Sequence, residues 1–244
     1  MQIQLSQLDH DRFGIVTAKA ADIESIADLD DCLAFCKSNN VELLIARIDT
    51  SRVETFQKME AIGGVLCDTL LYYELNLHRF KSEHIPAQEI IVRAMAPMDR
   101  DAVLTIAREA FSGYFGHYHS DPRLSREACD DTYVSWCDST IDNLGDVDKL
   151  LVAEDGMGVC GFLTMRIHEN SRLELVLGGV SKRVVGRGVF HRLMRAGVQD
   201  GIDSELKRVF TSTQIFNLVT QRICVAFGFV PSKSLHTFHK WFDI

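Results

Sequence analysis

The sequence predicts an α/β protein built in two parts. Three observations carry that prediction: apolar runs of strand length alternate with segments of 3.6-residue periodicity, glycines stop several of the periodic segments, and one polar stretch divides the series. An extended segment over 13–20 (FGIVTAKA) leads to a helix over 22–37, whose first turn is rich in acids that suit a helix N-terminus. A strand over 41–48 (VELLIARI) follows, then a helix over 52–61 stopped by Gly63 and Gly64, and a long strand over 65–75. Residues 76–88, with His84 and Pro86, read as a linker.

The second series opens with a strand over 89–95 and a helix over 99–111. An aromatic- and His-rich loop over 112–122 precedes a helix over 125–141 and strands over 149–154, 159–168 and 172–180. A glycine-containing turn feeds a helix over 189–201, followed by a strand over 208–214, a helix over 218–227 and strand material over 229–242. The organisation is therefore a smaller domain over 1–88 and a larger one over 89–244. One internal echo links them: strand, helix, glycine stop and closing strand recur at an offset of 165 residues, with Gly63 falling on Gly228 and Val65 on Val230. Residues 1–88 thus read as a half-copy of the C-terminal part, packed beside it in an extended sheet.

With 244 residues, 46% hydrophobic and 25% charged, the chain can bury a substantial core. A net charge of −8 argues against nucleic acid or an anionic membrane as partner, since both require clustered Lys and Arg. The charge is concentrated in residues 1–88, where 14 Asp and Glu face 8 Lys and Arg, so an anionic ligand meets less repulsion in the second part. No leader or membrane-spanning run is read, and the seven scattered cysteines fit reduced core thiols in the cytoplasm. Cys32 and Cys36 lie one helical turn apart without further ligands at zinc spacing, so no metal is expected.

The chemistry concentrates in RLELVLGGVSKRVVGRGVFHRLMRAG (172–197), where an apolar strand ends in a basic turn and a helix begins at once. Helix N-terminal N–H groups form an anion site, and glycine lets a diphosphate approach without a Cβ in the way. Lys182, Arg183 and Arg187 add positive charge around Gly186 and Gly188. A tight strand-to-helix turn also uses glycine for steric reasons alone, so both readings stand at this point.

The string RVVGRG (183–188) resembles the pyrophosphate loop of the GNAT (GCN5-related N-acetyltransferase) superfamily, R/Q-x-x-G-x-G/A. In that superfamily's commoner register the match is imperfect, with Val185 in place of Arg and Phe190 in place of the last glycine. NLVTQRICVAFGFV (217–230) resembles the downstream strand–helix–GF signature. The N-terminal segment, HSDPRLSREACDDTYVSW (119–136), TQIFN (213–217) and HTFHKW (236–241) are similar to sugar-nucleotide N-acetyltransferases of the dTDP-fucosamine acetyltransferase type.

The resemblance implies a mixed, mostly antiparallel sheet flanked by helices, with a half-GNAT-like N-terminal α/β domain. It implies an acetyl-CoA-dependent N-acetyltransferase acting by direct amine attack on an amino-deoxysugar nucleotide, a small-molecule partner, with a homodimer left open. A non-catalytic binder of acetyl-CoA or nucleotide, and an enzyme for another small amine, are the alternatives.

Carried onto this sequence, acetyl-CoA falls to Gly178, Val180, Arg183, Val185, Gly186, Arg187, Gly188, Val189 and Asn217, with Gly178–Val180 offering N–H groups to the thioester carbonyl. Gly178–Gly179 would break the strand end, and a ligand-free β-bulge is the competing reading. Tyr114, His117, Tyr118, His119 and Arg123 fall on the acceptor loop. For a base, period-2 alternation places Glu174 on the face of Val176, Gly178 and Val180, and His117 and His119 are rivals with a suitable ordinary pKa. Where the superfamily carries a tyrosine acid, four residues before the GF glycine, stands Cys224. It is either a short proton donor or a buried structural thiol.

Overall fold

The computed structural model describes residues 1–80, 90–169 and 171–242. Among the described residues, ten strands form one sheet in the order β1-β2-β3-β10-β4-β9-β8-β7-β6-β5. The N-terminal strands are β1 (Gln2–Leu5), β2 (Thr17–Ile23), β3 (Leu43–Asp49) and β4 (Val65–Asn76). The later ones are β5 (Ile91–Ala94), β6 (Asp148–Asp155), β7 (Gly158–His168), β8 (Arg172–Val180), β9 (Arg208–Gln214) and β10 (Val230–Trp241). Only β2–β3 and β8–β9 are parallel; every other neighbouring pair is antiparallel. Most of the expected linker over 76–88 lies outside the described residues.

The helices follow from capping and spacing. In α1 (Gln7–Phe13), Ser6 caps the N-terminus and Gly14 closes it with φ +68°. A reciprocal Ser25–Asp28 capping box starts α2 (Ile26–Ser38), and α3 (Val53–Ala61) packs beside it. The helix read over 125–141 breaks at Asp131 into α5 (Arg126–Asp130) and α6 (Thr132–Asp142). One face of β6–β8 is covered by α4 (Arg100–Phe111) and α6 through Phe111, Val152, Phe162 and Leu177. The other is covered by α7 (Val189–Asp203) through Leu163, Leu175, Leu193 and Val198, with α8 (Leu218–Ala226) adding Cys224. No described helix is long and apolar enough to cross a membrane.

The two parts do not lie side by side in the sheet; they interleave. β10 inserts between β3 and β4, and β4 pairs with β9. The four central strands obey a two-fold register. Leu70 faces Leu235, and 235 less 70 is the 165-residue offset of the sequence echo. Leu235 faces Asp49 while Leu70 faces Gln214, and 214 less 49 is again 165. Even the bulges correspond, since the register of β4 with β10 skips Cys67 on one strand and Ser232 on the other. Each closing strand, β4 or β10, therefore pairs with the other closing strand and with the opening strand of the opposite part.

Candidate active site

β8 and β9 pair from Arg172–Arg208 to Leu175–Thr211, and there their pairing ends. β8 stays joined to β7, with a bulge at Val176 between the pairs Met165–Leu175 and Thr164–Leu177. The bulge reverses the pleat. Leu173 and Leu175 point to the α7 side, whereas Leu177 packs in the α4–α6 cluster. Beyond it, a Cβ on Gly178 would meet Phe190 of α7, and one on Gly179 would meet Ala110 of α4. Glu174 and Gly178 therefore lie on opposite faces, contrary to simple alternation.

A cavity of about 1180 Å³ opens where the strands part. Leu175 to Gly178 of β8, Thr211 to Gln214 of β9, Asn217, and Phe190 and Met194 of α7 line one end. The other end is lined by Arg12, Lys19 and Arg47 from the N-terminal part, with Tyr114, His117, Tyr118 and Tyr133 between. Of the residues expected from sequence, Gly178, Asn217, Tyr114, His117 and Tyr118 thus meet in one space.

The glycine turn abuts this space, two residues before Phe190. Gly186 and Gly188 are left-handed, with φ +81° and +74°, and nothing lies within 4 Å of where a Cβ would project. Gly188 is the N-cap of α7 without a side-chain cap, so its first-turn N–H groups remain available. Val185, Arg187 and Lys182 are exposed, while Val189 is buried beneath the turn. Arg183 is committed elsewhere: it pairs with Asp155 at 2.6 Å and donates to the carbonyls of Gly158 and Val159. Val180 ends β8 opposite Gly161. Asn217 caps α8 through Thr220 N–H and donates to Thr213 Oγ1.

The other residues expected at the site are held by neighbours of their own. Glu174 lies before the parting and does not line the cavity; its carboxylate is 2.7 Å from His168 Nε2. Cys224 is fully buried in α8, and burial pushes its thiol up to about 11. His119 is buried, accepting from Gly116 N–H and lying 3.1 Å from Asp130. Arg123 stacks its guanidinium 4.0 Å over Trp241. Tyr114 donates to Gln214, and Tyr118 donates to Asp9 Oδ1 at 2.7 Å.

Sequence reading missed the basic end. Asp9 is wholly buried and pairs with Lys19 at 2.6 Å and Arg12 at 3.3 Å. Burial pushes its carboxyl up, but Lys19, Ser6 and Tyr118 outweigh it and hold it below its ordinary value. The Arg47 side chain has no hydrogen bond or ion pair among the described residues, although it reduces the upward shift that burial imposes on Asp68. A cation inside each of the apolar strands TAKAADI and LLIARID was the available signal.

No protein-family profile matches the sequence. The spore coat polysaccharide biosynthesis protein SpsD of Bacillus subtilis is 24% identical over 145 residues, 59% of this chain. The chain spans only 48% of SpsD's length. A GCN5-related N-acetyltransferase from Sphaerobacter thermophilus superposes with a TM-score of 0.67 at 13% identity, covering 99% of this chain and 78% of that one. The GCN5-related glucosamine N-acetyltransferase region of a fungal multi-domain GH3 β-N-acetylglucosaminidase gives a TM-score of 0.64 at 12% identity, covering 98% and 31%. With its parted strands, glycine turn and flanking helices, the chain has the fold of the GCN5-related N-acetyltransferases.

Proposed function

We propose that the chain is an acetyl-CoA-dependent N-acetyltransferase acting on the amino group of an amino-deoxysugar nucleotide. The observation that carries the reading is the parting of β8 from β9 beside an uncapped, glycine-led helix N-terminus. N–H groups of Gly186, Gly188 and Val189, with Lys182 and Arg187, would hold a diphosphate there. Val185 would border it, and Arg183 would brace the turn from its bond to Asp155. Gly178 and Asn217 line the opening in which an acyl group would sit, and Val180, at the end of β8, would border it. Acetyl-CoA supplies the acetyl group as an activated thioester.

This chain's part is to orient the amine, accept its proton and stabilise charge on the carbonyl oxygen. His117 lines the cavity and Glu174 does not, which favours His117 as base. The buried thiol of Cys224 favours proton return through water rather than a dedicated side-chain acid. At the far end, Arg12, Lys19 and Arg47 suit an anionic acceptor. Likeness to a polysaccharide biosynthesis protein and to a glucosamine N-acetyltransferase region supports a sugar as that acceptor. Tyr118 would face the acceptor, while His119 and Arg123 would shape its loop from behind.

A second reading, a non-catalytic binder, draws on Phe190, whose ring would lie 2.8 Å from a Cβ at Gly178 and narrows the opening. Release of free thiol from acetyl-CoA with a panel of nucleotide-linked aminosugars separates the two. Turnover is expected with at least one, and Arg47→Ala should raise that acceptor's KM by roughly tenfold, the worth of one charge-assisted contact. No thiol release with any amine would favour the binder.

A further inference from the structure

Behind His117 runs a chain of hydrogen bonds that leaves the cavity and ends on a buried carboxylate. His117 Nδ1 lies 2.9 Å from His239 Nε2. His239 Nδ1 lies 2.8 Å from Asp121 Oδ2. Asp121 already accepts from Trp241 Nε1–H at 2.7 Å and from Arg123 N–H at 3.0 Å. His239 is 1% exposed and Asp121 7%, so water does not substitute for these partners.

Protons along this chain are set by elimination. An ionised carboxylate can only accept, and burial's upward push on Asp121 is outweighed by its donors, which hold it below its ordinary value. His239 must then carry its proton on Nδ1. A neutral His239 ring then offers a lone pair at Nε2, and His117 donates to it from Nδ1. His117 Nε2 is left unprotonated, on a residue that lines the cavity. Burial above all, then the neighbouring His239, Arg47 and Lys19, holds this imidazole well below its usual range and hence neutral.

We infer that Asp121 and His239 are positioning residues that fix His117 in the Nδ1–H tautomer and present Nε2 as the proton acceptor for the incoming amine. The role as base rests on the acetyl-transfer reading above; the tautomer does not. In the transfer, the amine nitrogen bonds to the acetyl carbon while the C–S bond breaks and its electron pair leaves with sulfur. The surplus amine proton passes to Nε2 and is returned through water to that sulfur, giving one amide and one thiol. Fold placement explains the geometry: His239 sits on β10 opposite Ile45 and Val65, and Ser120 ties the loop to the Cys67 carbonyl at 2.7 Å.

Ring ¹⁵N chemical shifts of the ligand-free protein at neutral pH test the tautomer directly. Protonated Nδ1 and bare Nε2 are expected on both His117 and His239. His239→Leu, which removes both bonds, should lower kcat by ~10²-fold with little change in acceptor KM. His239→Gln can accept from His117 and donate to Asp121, and should recover most of that loss. Nε2–H on His117 in a protein that turns over would sink the relay and leave the transferase reading standing. The expected tautomer without turnover of any amine would sink the base and the transferase reading together. A folded His239→Leu protein with undiminished kcat would also overturn the positioning role.

Discussion

Gly188 combines two properties that a single substitution can separate. Its φ of +74° is costly for other residues, by about 1–2 kcal/mol, yet the space before it is empty and it stands at a helix N-terminus that favours acids. Gly188→Asp should therefore fold, with a melting temperature lowered by no more than a few degrees. Its carboxylate would occupy the N–H groups and repel a diphosphate, so calorimetric affinity for acetyl-CoA should fall at least 100-fold. Unaltered affinity would remove the turn from the site. For Cys224 the expectation is reversed. A fully buried thiol pushed up to about 11, in the core beside α7, contributes packing. Cys224→Ala should lower stability by about 1 kcal/mol in denaturant titration while kcat stays within twofold. A hundredfold loss of kcat at unchanged stability would make it an acid.

At the scale of elements, α7 rides close on the sheet because Gly197 faces it. A Cβ there would come within 2.9 Å of Leu175, 3.1 Å of Leu163 and 3.2 Å of Met165. Gly197→Val should cost ~1–3 kcal/mol through overpacking, read as a lowered denaturation midpoint. It should also weaken acetyl-CoA binding, since α7 carries the turn; full stability would show that the helix can lift without penalty. Elements of this kind were legible. The bounds of β8 and β9 are those read from the sequence. The short β1 and α1 escaped notice, although Ser6 and Asp9 mark a cap, since seven helical residues offer hardly two turns of pattern. The face of Glu174 was misread for a different reason. A bulge shifts the side-chain period by one, and its position depends on the partner strand, which the local sequence does not specify.

Across the whole molecule, strand order decides what can stand alone. β10 has two neighbours, β3 and β4, and both come from residues before 77. Residues 90–244 expressed alone would leave β10 without a partner and β9 with an open edge. That fragment should aggregate, whereas co-expression with residues 1–89 should restore a soluble complex. A monomeric fragment with cooperative unfolding would contradict this. The 165-residue echo was visible in the sequence, but the interleaving was not, since pairing across so many residues has no local signature. The basic end of the cavity was hidden for a related reason, because Arg12, Lys19 and Arg47 stand on α1, β2 and β3 and meet through the parallel pairing of β2 with β3 and the packing of α1, neither of which has a local signature.

The same insertion of β10 sets an order of events during folding. β3 and β4 cannot be joined until a strand more than 150 residues further along has formed and arrived. Until then the N-terminal segment presents two unpaired edges, one on each side of an empty slot. Contacts this distant make closure slow, and open strand edges invite pairing with other molecules meanwhile. The central seam that holds the finished sheet together is thus its last to form, and chaperone demand in refolding should track the arrival of β10.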